Sequence, residues 1–284
     1  MVQQQGKKAG ARDEARAAAA DARALEAVRA KRRRSAAIGG LVVAIGVLVV
    51  VVILVLSQEE KQIAFPGEPG SLTLQEVTAP AAANDDGGIP VGPGLVAGTE
   101  SGSEAVVVDV LFDYRCPYCA VFEETVGPEL TALAEAGTIT LVYRPVSFLD
   151  ERAAGSRQYS TRSATAAALV ADRAPEHFVA FHEALMANQP GEGEGPSDED
   201  IAQVARNAGV PEGVVEQLTE TAAGTERTFA RWIHAATARG DEILGGLTTP
   251  SVLIGGERWP GPDEDRGLVL DPAAVTAAIE ARTS

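Results

Sequence analysis

Cys116-Pro117-Tyr118-Cys119 are the residues of this chain best suited to chemistry, and they hold the only two cysteines among its 284 residues. A Cys-x-x-Cys pair at a helix start meets the positive end of the helix dipole and the unpaired N–H groups of the first turn. Both favour a thiolate. Pro117 fits the first helical position, where its missing N–H costs nothing. Cys119 falls one turn deeper and can close a strained, reducible ring with Cys116. The chemistry this spacing suits is dithiol–disulfide exchange. Three other uses fit less well. A structural disulfide usually closes a longer loop, because a four-residue ring removes little unfolded-chain entropy. A structural zinc site takes four ligands, yet there is no second Cys pair, and His177, His182 and His234 show no ligand spacing. Two inert core cysteines would need no helix-start turn between them.

The flanking elements must then deliver the pair. Residues 105–112 read as a buried strand and residues from about 117 to 135 as a helix, ended by Gly137 in the left-handed conformation. A second strand is expected over 138–144. Strand, helix, strand implies parallel pairing through a right-handed crossover. A long helical stretch is expected from about 157 to 244. Within it, Phe178, Phe181, Leu185 and Met186 have the spacing of a buried stripe. Ser197 stands as an N-cap before Asp198, Glu199 and Asp200. A further helix is expected over 225–239, with Phe229, Trp232 and Ile233 on its apolar face. Thr249-Pro250 then precedes a strand over 251–254. Gly255-Gly256 predicts a hairpin turn, and a last helix is expected over 272–282.

Upstream, residues 36–56 form 21 uncharged, strongly apolar positions. As a helix they would span about 30 Å, the depth of a bilayer core. The run ends without a small-x-small cleavage site, so an uncleaved signal anchor is expected rather than a removed leader. Residues 1–35 hold ten Lys+Arg against four Asp+Glu, a net of +6, which leaves −22 for the remainder of a chain of net charge −16. The basic cluster 31–34 abuts the apolar run, which places residues 1–35 in the cytoplasm and the acidic remainder outside. Such an acidic domain has no electrostatic draw toward nucleic acid. Residues 57–88, rich in Gly, Pro, Ala and Asp, read as a flexible tether, with Ile89-Pro90-Val91 opening a folded unit over 89–284.

The element order, with Cys-x-x-Cys after the first core strand and Thr-Pro before the hairpin, resembles the thioredoxin fold. The helical block between its halves resembles the DsbA-like branch. The segment 112–119, followed by Phe122-Glu123-Glu124, is similar to bacterial membrane-anchored or secreted DsbA-like thiol-disulfide oxidoreductases. The expectation is an α/β thioredoxin fold with a large helical insertion, preceded by a transmembrane helix. The resemblance implies that Cys116 is the exposed nucleophile and Cys119 the buried resolving cysteine. It implies that Pro250 is a cis-proline across from the pair, with the Thr249 backbone meeting substrate peptide. It implies no cofactor beyond the redox-active Cys116–Cys119 disulfide. Its substrates would be exported proteins, and a quinone-linked membrane partner, DsbB-like or vitamin K epoxide reductase-like, would re-oxidise it. Two positions depart from the pattern. Tyr118 stands where strongly oxidising members carry His, which predicts a milder oxidant. Val110 stands where members often carry a buried acid. Asp109 is the adjacent candidate for that proton acceptor, although strand alternation aims it at the opposite face.

Overall fold

The computed structural model describes residues 72–150, 158–190, 195–219, 227–261 and 264–283. Residues 1–35 and the expected membrane span 36–56 lie outside them. Among the described residues, no helix is long and apolar enough to cross a membrane.

Five strands make one mixed sheet: β1 (Ile89–Val91), β2 (Val106–Phe112), β3 (Ile139–Pro145), β4 (Ser251–Ile254) and β5 (Glu257–Trp259). Their order is β1-β3-β2-β4-β5. The central β2 runs parallel to β3, with Val108 opposite Leu141, and antiparallel to β4, with Val110 opposite Val252. β1 and β5 close the edges antiparallel. Pro90 sits on the edge strand β1, where an absent N–H removes no central ladder bond.

The strand period of two sorts β2 between two apolar clusters. Val108, Val110 and Phe112 enter the main core together with Cys116, Cys119 and Phe122. Leu111 faces the other way, into a smaller cluster with Val146, Leu247 and Leu253.

The single helix expected over 117–135 is two: α1 (Pro117–Thr125) and α2 (Gly127–Glu135). Pro128 has no N–H to continue the ladder, and the residue before a proline resists helical geometry. The chain therefore breaks at Val126, whose N–H still closes on the Phe122 carbonyl at 2.7 Å. Gly127 serves this joint. A Cβ there would come within 2.6 Å of Glu123 Oε1.

The helical block between β3 and β4 contains α3 (Tyr159–Arg173), α4 (Phe178–Ala187), α5 (Asp198–Asn207), α6 (Glu212–Thr219) and α7 (Ala230–Leu244). α3 is buried from Tyr159 through Ala171, which its small Ala, Ser and Thr side chains permit. The Ser197 cap forms as expected, its hydroxyl accepting the Asp200 N–H at 3.2 Å. α7 starts five residues later than expected. Phe229 adopts a left-handed φ of 66° and caps the helix instead of joining it, while Gly245 at φ 62° ends it beyond 239. The hairpin and the closing α8 (Pro272–Thr283) follow as read.

Of the tether expected over 57–88, residues 57–71 lie outside the described residues, and residues 81 and 86 bond to the helical block and to β3. The Ala81 N–H donates to Asp172 at 2.7 Å. Asp86 accepts from Arg239 at 2.8 Å and from Arg144 at 3.1 Å. Two guanidiniums thus fix a segment whose composition alone reads as linker.

Candidate active site

β2 runs out at Phe112, and the turn 113–116 carries the chain over the sheet edge to α1. Cys116 is the N-cap of α1, in extended geometry (φ −76°, ψ 113°), with Pro117 at the first helical position. Asp113 builds the turn. Its carboxylate accepts the Arg115 N–H at 2.8 Å and the Leu149 N–H at 3.1 Å, while its carbonyl accepts the Cys116 N–H at 2.9 Å. Burial pushes the Asp113 carboxyl up to about 7, against the nearby Ser160 hydroxyl and those two N–H groups.

Across from the turn, the Thr249–Pro250 peptide is cis. The Thr249 carbonyl accepts from Cys116 Sγ at 3.5 Å. The Thr249 hydroxyl finds no hydrogen-bond partner of good geometry. It nevertheless lies close enough to both sulfurs to favour each thiolate. The structure therefore brings together Cys116, Pro117, Tyr118, Cys119, Thr249 and Pro250; Cys116 and Thr249 are 133 residues apart in sequence and adjacent in space.

The two thiols are free and their acidities diverge. The Cys119 thiol donates to Cys116, and the Thr249 hydroxyl and the backbone N–H groups of Cys119 and Tyr118 add to this. Against the cost of burial, they lower Cys116 from 9.0 to about 6. Burial first, then the neighbouring Cys116 sulfur, hold Cys119 well above the ordinary thiol range. One sulfur is thus a thiolate at neutral pH and the other a thiol, a division set by position on one helical turn. Cys116 is less open than expected, at 5 % exposure, because Thr249 covers it. Tyr118 beside it is 64 % exposed and Val121 42 %, so the rim is apolar and open.

Asp109 is not brought to the pair. It shares the Leu111 face of β2 and forms an ion pair with Arg144 at 2.6 Å. Its burial raises it, with Arg144 opposing. The alternation that put Val110 toward the cysteines put Asp109 away from them. The buried carboxyl at the cysteines is Asp113, which sequence reasoning passed over. Its signal was an acid at the first position after a buried strand. Among the described residues no cluster of His, Cys, Asp and Glu is arranged to hold a metal ion.

A thioredoxin family profile matches residues 92–270, and the chain belongs to that family. No curated protein matches it. Among solved structures, MdbA, a thiol-disulfide oxidoreductase from Actinomyces oris, is 22% identical with a TM-score of 0.57, covering 76% of this chain and 96% of that one. Reduced DsbA from Mycobacterium tuberculosis is 26% identical with a TM-score of 0.52, covering 69% and 92%. Oxidised BdbD from Bacillus subtilis is 20% identical with a TM-score of 0.55, covering 73% and 97%. The chain has a thioredoxin-like fold that matches thiol-disulfide oxidoreductases.

Proposed function

We propose that this protein introduces disulfides into exported proteins, acting outside the cytoplasmic membrane to which residues 36–56 anchor it. The observation that carries the reading is the placement of the pair: Cys116 caps α1 beside the cis Thr249–Pro250 peptide and Cys119 is buried one turn deeper, which lowers Cys116 to about 6 and raises Cys119. A lowered thiol pKa stabilises the reduced form as thiolate, and a stabilised reduced form makes the disulfide an oxidant.

In the oxidised enzyme, a substrate thiolate attacks Cys116 Sγ. The Cys116–Cys119 bond breaks, and Cys119 leaves and takes a proton. A second substrate thiolate then attacks the substrate sulfur of the mixed disulfide and releases Cys116 as the thiolate. The substrate loses two electrons and gains a disulfide; the enzyme gains both electrons as a dithiol. The Thr249 carbonyl, beside Cys116, offers an acceptor to an extended substrate backbone, and Tyr118 and Val121 offer it an apolar rim. A quinone-linked membrane partner of DsbB-like or vitamin K epoxide reductase-like type would take the two electrons on, and anchoring would raise its effective concentration.

The opposite direction, a disulfide reductase or isomerase supplied with electrons through the membrane, uses the same residues. The equilibrium reduction potential of the full-length chain in a glutathione buffer separates the two. A value well above thioredoxin's, about −270 mV, is expected for an oxidase, in the range of about −120 to −230 mV. A value at or below thioredoxin's would reject the oxidase reading and leave the reductase.

A further inference from the structure

Behind the redox helix lies a buried polar relay that the exchange chemistry does not itself use. His182 on α4 is 1 % exposed, and both its ring nitrogens are occupied. Its Nε2 meets Glu123 Oε2 at 3.1 Å and its Nδ1 meets the Tyr114 hydroxyl at 3.0 Å. Glu123 lies on α1, one turn beyond Cys119. Tyr114 lies in the turn that delivers Cys116 and is fully buried. The three residues come from separate segments, 59 and 68 residues from His182 in sequence.

The protons can be placed. Burial, then the Glu123 charge, push the Tyr114 hydroxyl well above its ordinary range, so it keeps its proton and donates to Nδ1. A carboxylate only accepts, so Nε2–H donates to Glu123. With Tyr114 as the donor to Nδ1, every donor and acceptor in the relay is used. The imidazole is also held edge-on, with Phe112 at 4.6 Å and Tyr143 at 4.7 Å between ring centroids. Glu123 is equally confined, since its carboxylate fills the space a Cβ at residue 127 would need. Glu183 and the Tyr143 hydroxyl feel the Glu123 charge as well, and both are raised, burial being the larger cause.

We propose that His182 is a positioning residue for the redox centre: through Glu123 and Tyr114, the helical insertion holds α1 and the Cys116 turn in the register that presents the helix N-terminus to the nucleophilic sulfur. This deepens, and rests on, the thiol–disulfide reading above. A helix N-terminus acts on a charge only within its first turn, so a small shift of α1 against the turn weakens its hold on the Cys116 thiolate. The disulfide then becomes the less oxidising.

The test is the equilibrium between the full-length protein and glutathione for wild type, His182→Leu, Tyr114→Phe and His182→Gln. Thiolate absorbance titration of Cys116 and thermal unfolding accompany it. His182→Leu and Tyr114→Phe are expected to lower the equilibrium constant for glutathione oxidation about fivefold, the size of one helix-terminus charge interaction. His182→Gln, which can still donate to Glu123, is expected to stay within about twofold of wild type on the same scale. A folded His182→Leu or Tyr114→Phe that matches wild type overturns the proposal. If His182→Leu does not fold, Tyr114→Phe decides by the same criterion. If wild type itself does not exchange with glutathione, the thiol–disulfide reading fails instead, and the thiolate titration alone judges the relay.

Discussion

The divided acidity of the cysteines fixes how the reduction potential must vary with pH. With Cys116 at about 6 and Cys119 well above 9.0, reduction below pH 6 takes up two protons with two electrons. Above pH 6 the new Cys116 stays a thiolate, and only Cys119 takes a proton. For a two-electron couple each proton contributes about 30 mV per pH unit. The potential should therefore fall by about 59 mV per unit below pH 6 and by about 30 mV per unit from there to at least pH 9. A dithiol with both groups at 9.0 would hold the steeper slope throughout that window. At pH 7 the two differ by about 30 mV, equivalent to about 1.4 kcal/mol. The sign agrees with linkage: a lowered folded-state value stabilises the reduced protein fully above pH 9 and loses that stability as pH falls through 6. Glutathione equilibria at half-unit steps from pH 5 to 8.5, read by the thiolate absorbance, supply the curve. Asp113→Asn should be scanned in parallel, because its carboxyl titrates near 7 and its own N–H reaches Cys119. A wild-type slope still near 59 mV per unit between pH 6.5 and 8.5 would refute the reasoning and return Cys116 to an ordinary thiol.

Two further substitutions test the frame around the pair. Asp113 is raised from 3.8 to about 7, so its protonated form is the one the fold prefers, and that advantage is lost as pH rises from about 4 to 7. Relative to Asp113→Asn, urea denaturation should show wild type losing about 1 kcal/mol per pH unit across that window, with the difference flat above pH 8. A pH-independent difference would mean the carboxyl is not desolvated. Arg144→Ala strands Asp109 in the interior and leaves Asp86 held by Arg239 alone, and should cost about 3–5 kcal/mol in the same assay. Arg144→Leu combined with Asp109→Leu should recover most of that; a double variant as unstable as the single would show that the loss lies in packing rather than in the unpaired charge.

The central elements were legible because their local signals are strong. Residues 105–112 are a nearly unbroken apolar run that reads as a buried strand, and Pro117 with Cys119 marks a helix start; the structure has a strand over Val106–Phe112 and a helix from Pro117. The boundaries that shifted did so for reasons carried by single residues. Pro128 split one helix in two, and a left-handed Phe229 delayed another. Such a φ at a large aromatic is fixed by tertiary packing and leaves no local mark. The segment 80–88 looked like tether because Asp86 finds its guanidiniums 58 and 153 residues away. At the site, the cysteines and Thr249-Pro250 could be read from motif and order. Asp113, Glu123 and His182 could not, since each is an ordinary polar residue until the fold buries it. His182 even sits within the stripe that marks α4 as core, one residue after Phe181 and four after Phe178, which is the spacing that carries it inward.

Burial explains both halves of the candidate chemistry. Cys116 and Cys119 are separated by less than one helical turn, yet one is drawn into the thiolate form and the other held as thiol. Cys116 is the cap, where the N–H groups of Tyr118 and Cys119 and the Cys119 thiol converge on it. Cys119, at 1 % exposure, lies in the main apolar core, where burial disfavours a charge. A shared feature links the two. The S–H of Cys119 is itself the largest stabiliser of the Cys116 thiolate, so keeping Cys119 protonated by burial is what keeps Cys116 ionised. Exposing Cys119 to water would therefore weaken the nucleophile without touching it. Elements that contain neither cysteine thus have a route to the reactivity of both, which is the route proposed for His182 on α4.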